Sequence, residues 1–118
     1  MNIRHPKRGE IWLVNFDPTI GAEMKKTRPG VVISSDSLGV LPLKLVVPVS
    51  EWKETFSDMI WQVKIEPSKE NGLKKTSSID VLQIRSLDTA RLAHYIGEIP
   101  SDQLKEVCLA LADITEAE

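Results

Sequence analysis

The chain has 118 residues, 42% of them apolar, enough to fill one hydrophobic core and too few for two, so a single domain over residues 1–118 is expected. No stretch approaches the roughly eighteen consecutive apolar residues of a membrane-spanning helix, and Met1 to Arg8 carries charges without the apolar run of a secretion signal, so a cytoplasmic protein without membrane contact is expected. A formal net charge of −2 argues against a protein that holds nucleic acid indiscriminately on a basic surface, and the single cysteine, Cys108, excludes an internal disulfide.

Glu10 to Phe16 is rich in β-branched and aromatic residues and reads as a strand; Asp17-Pro18-Thr19-Ile20-Gly21 after it is a turn sequence. A second strand, Gly30 to Ser34, is entered through Pro29, which cannot donate to a ladder and belongs among a strand's first residues. Between them runs a polar loop, Gly21 to Thr27, of a length that usually carries function. Residues 1–30 hold six basic groups against three acids, a net charge of +3. Leu43 to Ser50 is a third strand, and Pro48 places that end at an edge or a bulge. Trp61 to Ile65 alternates apolar and polar with period two, as a half-buried antiparallel strand does. Ser78 to Arg85 and Arg91 to Ile96 supply two more strands, separated by a turn at residues 86–90.

After Pro100, Ser101 is positioned as an N-cap with Asp102 in the positive first turn, and Leu104, Val107, Cys108, Leu111 and Ile114 fall at helical spacing. The pattern predicts a C-terminal amphipathic helix on the sheet, with Cys108 as a buried structural thiol. Residues 98–118 contain one base against six acids, a net charge of −5, so a polyanion would meet the first quarter of the chain and not the last. About six short strands with turns between them and one long helix predict a mostly β protein, a small, strongly bent antiparallel sheet or barrel with a helical cap.

His5 and His94 have no Cys or acid at ligand spacing beside them, and no Gly-rich phosphate loop, Gly-x-Ser-x-Gly elbow or His-Glu-x-x-His segment occurs. Neither a metal nor another cofactor is therefore expected. What remains is the loop from Gly21 to Pro29. Lys25, Lys26 and Arg28 place three cations within four residues where the chain enters a buried strand, a pattern suited to phosphate. By itself the same run reads better as a solvated charged loop, since surface charge runs usually mean nothing more.

The flanking residues change its weight. Arg8 to Glu23, followed by Thr27-Arg28-Pro29-Gly30-Val31-Val32-Ile33-Ser34, closely resembles the opening of MazF/PemK-family toxins. Gln83-Ile84-Arg85-Ser86-Leu87-Asp88, with Arg91-Leu92 and Ile96-Gly97, resembles that family's second segment, so the likeness runs from Lys7 to the C-terminal helix. The resemblance implies an SH3-like barrel of the CcdB/MazF type, with six to seven antiparallel strands and a C-terminal helix. It also implies a homodimer, neutralisation by a cognate antitoxin, and a sequence-selective, metal-independent and ribosome-independent endoribonuclease that cleaves single-stranded RNA.

The family's catalytic arginine falls on Arg28. Its hydroxyl partner, usually Thr in a Pro-x-Thr segment, falls on Ser50 in Pro48-Val49-Ser50, where Ser keeps the hydroxyl and loses a methyl group. Glu23 matches the family's loop acid and is a candidate base, with an ion pair to Lys25 or Lys26 as its other reading. A guanidinium, which titrates above about 12, is a poor base near neutrality. Phe16, Lys25, Lys26, Thr27 and Gln83 are the RNA-contacting positions the resemblance marks, Phe16 doubling as a plausible core residue. Trp12 and Trp61 fit core or dimer surface better than base stacking. A toxin of similar barrel that acts by binding protein, of the gyrase-poisoning kind, and a family member without activity are the competing readings.

Overall fold

The computed structural model describes residues 5–117, so Met1 to Arg4, including part of the basic N-terminal segment, and Glu118 lie outside the described residues. Seven strands and one helix follow in order: β1 (Glu10–Asn15), β2 (Thr27–Val32), β3 (Leu43–Glu51), β4 (Gln62–Ile65), β5 (Ser77–Asp80), β6 (Arg85–Asp88), β7 (Leu92–Glu98) and α1 (Ser101–Ile114). Every pairing is antiparallel, along the path β4-β5-β3-β2-β1-β7, with β6 attached to β3. Among the described residues the path ends at β4 and β7 without closing, so the expected mostly β architecture is present as an open version of a barrel.

Strand β3 organises the sheet. Val46 to Pro48 pair with β2, while on its other edge Leu43 to Val46 pair with β6 and Val49 to Glu51 with β5. Pro48 sits just where that second edge passes from β6 to β5, a position that asks for no donor on that side.

The three central strands are buried on both faces. Ile11, Val31, Val47 and Val49 point into the larger core with Val63, Ile65, Ile79 and Val81, under the helix residues Leu104, Val107 and Ala110. The alternate positions Trp12, Val14, Val32 and Val46 join Phe16, Leu87 and Leu92 in a second cluster. Burial on both sides explains why the sequence here runs Val31-Val32-Ile33 and Val46-Val47 without polar alternation. Gly30 belongs to this close packing: a Cβ there would lie 2.7 Å from Cγ1 of Val46 and 3.1 Å from Cγ2 of Val14.

Four sequence expectations are corrected. The strand predicted over Ser78 to Arg85 is two strands joined by a 3₁₀ turn, Val81–Gln83. Its apolar side chains are the ones a continuous strand would have, but the chain must leave one end of β3 and rejoin it at the other. Residues 86–88 are consequently strand and not turn; the turn is Thr89–Arg91, capped by the Asp88 carboxylate accepting from the Ala90 amide at 2.8 Å. Pro100, not Ser101, occupies the N-cap of α1, and Asp102 stands in its first turn as expected. Cys108 is half-buried, its sulfur accepting a long contact from Nη2 of Arg8 at 3.5 Å, because the helix flank on which it lies is only partly covered.

Candidate active site

Gly30 of β2 pairs with Pro48 of β3, the last pair of that ladder. Counted two residues further in this antiparallel register, Arg28 stands across from Ser50. There β3 continues with β5 as its partner, Ser50 opposite Ser78, while β2 remains paired with β1, Arg28 opposite Val14. The parting of the two strands opens a cleft of 570 Å³ that both Arg28 and Ser50 line, with Leu13, Pro29 and Val49 as apolar wall. Ser50 makes no side-chain hydrogen bond to the described residues, so its hydroxyl is available to a ligand.

Arg28 is held at one corner. Its Nε donates to the carbonyl of Lys25 at 2.9 Å, and its terminal nitrogens have no hydrogen-bond partner among the described residues. The loop behind it is tied down along its length. The Phe16 amide donates to the carbonyl of Lys26 at 3.0 Å, and the Lys26 amide to Oδ1 of Asp17 at 3.1 Å. Lys26 has φ 72°, a left-handed conformation that such bonds must hold in a non-glycine residue. Two further guanidiniums clamp the end of β1: Arg85 donates to the Phe16 carbonyl at 2.7 Å, and Arg91 to the carbonyls of Asn15, at 3.1 Å, and Asp17.

The opposite wall of the cleft, Gly72 to Lys75, was not foreseen from the sequence. It comes from the segment between β4 and β5, folded around the buried side chain of Asn71. That amide accepts from the backbone nitrogens of Ser68 and Leu73, each at 2.9 Å, and donates to the carbonyl of Glu66 at 2.9 Å. Gly72 (φ 67°) and Gly97 let the segment press on β7: a Cβ on Gly72 would lie 2.5 Å from the Ile96 carbonyl oxygen. Lys74 and Lys75 thereby line the same cleft as Arg28. With Glu51 the only carboxylate on the cleft wall, three cations confront one anion. Lys75 and Glu51 form an exposed pair at 3.9 Å, worth little energetically. The signals were present as the turn dipeptide Asn71-Gly72 and the pair Lys74-Lys75, but nothing local connects them to a site 46 positions earlier.

Of the remaining predicted residues, Lys25, Lys26 and Thr27 are exposed at the head of β2. Glu23 is not brought to Arg28. Its carboxylate accepts from the Ile20 amide at 2.8 Å, closing a local turn, and it lines a separate cleft with Leu82 and Ile84. The alternative of an ion pair with Lys25 or Lys26 is likewise not formed: the only ion pair among the described residues joins Lys75 and Glu51. Phe16 is a correction as well: its ring is fully buried in the second core cluster, so it offers no stacking face. Trp12 is core, edge-on to Tyr95 at 6.1 Å. Trp61 is half-buried. Gln83 spends its amide inside the protein, accepting from the Met24 backbone nitrogen and donating to Oδ2 of Asp80 at 3.2 Å. Burial pushes the Asp80 carboxyl above its ordinary value, against the hydrogen bond from the Gln83 side chain that pulls it down.

Against this geometry, the family described as PemK-like, MazF-like toxin of type II toxin-antitoxin system matches residues 7–115. The chain belongs to this toxin family. Endoribonuclease MazF9 of Mycobacterium tuberculosis is 33% identical over 111 residues, covering 89% of this chain and 92% of that protein. Among solved structures, MazF from Deinococcus radiodurans superposes with a TM-score of 0.78 at 28% identity, covering 94% of this chain and 96% of the other. The MazE-MazF (Form-II) structure from the same organism matches with a TM-score of 0.73 at 28% identity, over 96% and 97% of the two chains. In this PemK/MazF-family toxin, the two segments that carry the resemblance meet physically. Arg85 and Arg91 from the second hold the backbone of the first, just where it departs toward Arg28.

Proposed function

We propose that this toxin is an endoribonuclease that cleaves single-stranded RNA in the cleft between Arg28 and Ser50. The observation that carries the reading is the convergence of Arg28, Ser50, Lys74 and Lys75 on one cleft, a guanidinium, a hydroxyl and two ammonium groups of the kind that bind phosphate. A protein-binding toxin of similar fold would have no use for that set.

In the reaction, the 2′-oxygen of the ribose attacks the adjacent phosphorus, and the bond from phosphorus to the 5′-oxygen of the next nucleotide breaks. The 2′-hydroxyl proton is lost and the 5′-oxygen gains one, leaving a 2′,3′-cyclic phosphate and a 5′-hydroxyl. The nucleophile is the substrate's own hydroxyl, so the reaction calls for no metal-activated water.

Arg28 stabilises the charge that grows on the non-bridging oxygens, and Ser50 donates a further hydrogen bond to them. Each such donor is worth roughly 3 to 4 kcal/mol when fixed in advance, and the Lys25 carbonyl supplies the fixing for Arg28. Lys74 and Lys75 on one side and Lys25 and Lys26 on the other hold the strand through its phosphates. Bases splayed from it are read on their edges, which is the source of sequence selectivity. The toxin acts as a homodimer, independently of the ribosome, and is neutralised by a cognate antitoxin, as its family membership supports.

The test is incubation of the purified protein with a long unstructured RNA in EDTA, followed by mapping of the ends. Fragments with 5′-hydroxyl termini at one short recurring sequence are expected. Intact RNA beside a folded dimer would overturn the proposal.

A further inference from the structure

Two carboxylates are buried among the described residues, Glu10 and Asp80. Glu10 accepts from the Lys7 amide at 2.8 Å and the Trp12 indole at 3.0 Å, and so serves the fold around it. Asp80, 6% exposed at the end of β5, has a different set of neighbours. Its Oδ2 accepts from Nε2 of Gln83 at 3.2 Å, while Oδ1 is buried without a hydrogen-bond partner among the described residues. The other end of the Gln83 amide accepts from the backbone nitrogen of Met24, 59 positions away in the chain.

We propose that Asp80 is a positioning residue for Arg28, acting through the Gln83 side chain on the backbone of the loop that carries Arg28's acceptor. The proposal rests on the endoribonuclease reading above and adds to it a residue with no access to RNA.

The reasoning follows the donors and acceptors. An amide side chain has one donating and one accepting end and can be turned over. Asp80 takes only the donating end, and the Met24 amide takes only the accepting end. Together they select one orientation of Gln83 and pull Met24 to a fixed place against the Val81–Gln83 turn. Two residues on, the Lys26 amide is pinned to Asp17 at 3.1 Å with φ 72°. Lys25 therefore lies between two anchored residues, and its carbonyl is aimed at Nε of Arg28 at 2.9 Å. Releasing Met24 frees one of the anchors and lets that carbonyl swing. Arg28 then keeps its charge and loses its aim, which lowers the rate of the chemical step more than it weakens RNA binding.

The experiment compares Asp80→Leu with Asp80→Asn in the full chain. It measures kcat and KM on a short RNA substrate, hydrogen exchange of the Met24 amide, and the NMR resonance of the Arg28 Nε–H group. Leucine removes the acceptor at similar volume, whereas asparagine keeps an oxygen facing Gln83. Asp80→Leu should lower kcat on the order of tenfold or more with KM within about twofold, speed exchange at Met24 and shift the Arg28 resonance. Asp80→Asn should restore kcat to within about threefold and restore Met24 protection.

Wild-type kcat in Asp80→Leu, or a loss confined to KM, would overturn the assignment. So would equal impairment of both variants with Met24 still protected. Should Asp80→Leu fail to fold, Gln83→Leu at the half-buried next link is read by the same three measurements. If the wild-type protein leaves RNA intact, the nuclease reading falls. The exchange and resonance measurements then decide the relay by themselves.

Discussion

Arg28 and Ser50 line one cleft, each two residues beyond Gly30 and Pro48, the last pair joining β2 to β3. Beyond that pair the two strands take different partners, and the cleft is the space between them. On the proposed reading, that cleft offers a guanidinium and a hydroxyl to one phosphate. The site is built into the end of a ladder whose register is held by the buried valines Val31, Val32, Val46 and Val47.

For Arg28 the expected outcome is loss of at least 100-fold in kcat on substitution by alanine, with thermal stability nearly unchanged because the side chain is only half-buried. Arg28→Lys should be almost as impaired, since an ammonium cannot both donate to the Lys25 carbonyl and present a two-pronged face to phosphate. Single-turnover cleavage of a short RNA checks both, and full activity in either would mean the site is misplaced.

Ser50→Ala removes the second donor and should cost about two to three orders of magnitude in kcat. Ser50→Thr keeps the hydroxyl and should cleave at a rate comparable with wild type. The pair of rates, measured on the same substrate, distinguishes a donor from a residue that merely fills space.

Glu51 lines the cleft and Glu23 does not. With a carboxylate accepting the 2′-hydroxyl proton, Glu51→Gln lowers kcat in single-turnover cleavage, while Glu23→Gln leaves it near wild type. A loss of kcat confined to Glu23→Gln would require the Ile20–Glu23 turn to open in the complex.

Lys74 and Lys75 should act as phosphate contacts. Removing either weakens RNA binding across sequences and reduces the slope of log affinity against log salt by about 0.7 per contact on a single strand. Lys25→Ala and Lys26→Ala are expected to behave alike. Titrations of an uncleavable RNA at several salt concentrations provide the measurement, and an unchanged slope for a given lysine removes it from the interface.

Asp80 carries a stability signature of its own. With its carboxyl raised above the ordinary value by burial, the folded state holds the proton more tightly than the unfolded chain. Its contribution to stability therefore falls as pH rises from the ordinary carboxylate range through the raised value, and stays low above it. The Tm difference between Asp80→Asn and wild type should favour the variant near neutrality and move toward wild type as pH is lowered through that window. A difference independent of pH would show that Asp80 does not titrate abnormally.

Much of this protein was legible in its residues. The strands around Ile11 to Val14, Gly30 to Val32 and Val46 to Val49 announced themselves by β-branched and aromatic runs, although the second begins at Thr27 and ends at Val32 and not at Ser34. The helix after Pro100 did so by 3.6-residue spacing, and the family by the ordered segments around Arg28 and Gln83. These are local signals, carried by side chains within one element. What only the tertiary structure decided depends on how distant elements meet. The 3₁₀ break at Val81–Gln83 arises because the chain must exchange one end of β3 for the other, which its apolar side chains do not record. The burial of Phe16, the separation of Glu23 from Arg28 and the arrival of Lys74 and Lys75 on the facing wall follow from packing across tens of residues. Sequence named the guanidinium; the register of β2 on β3 and the anchored loop behind it determined what that guanidinium faces.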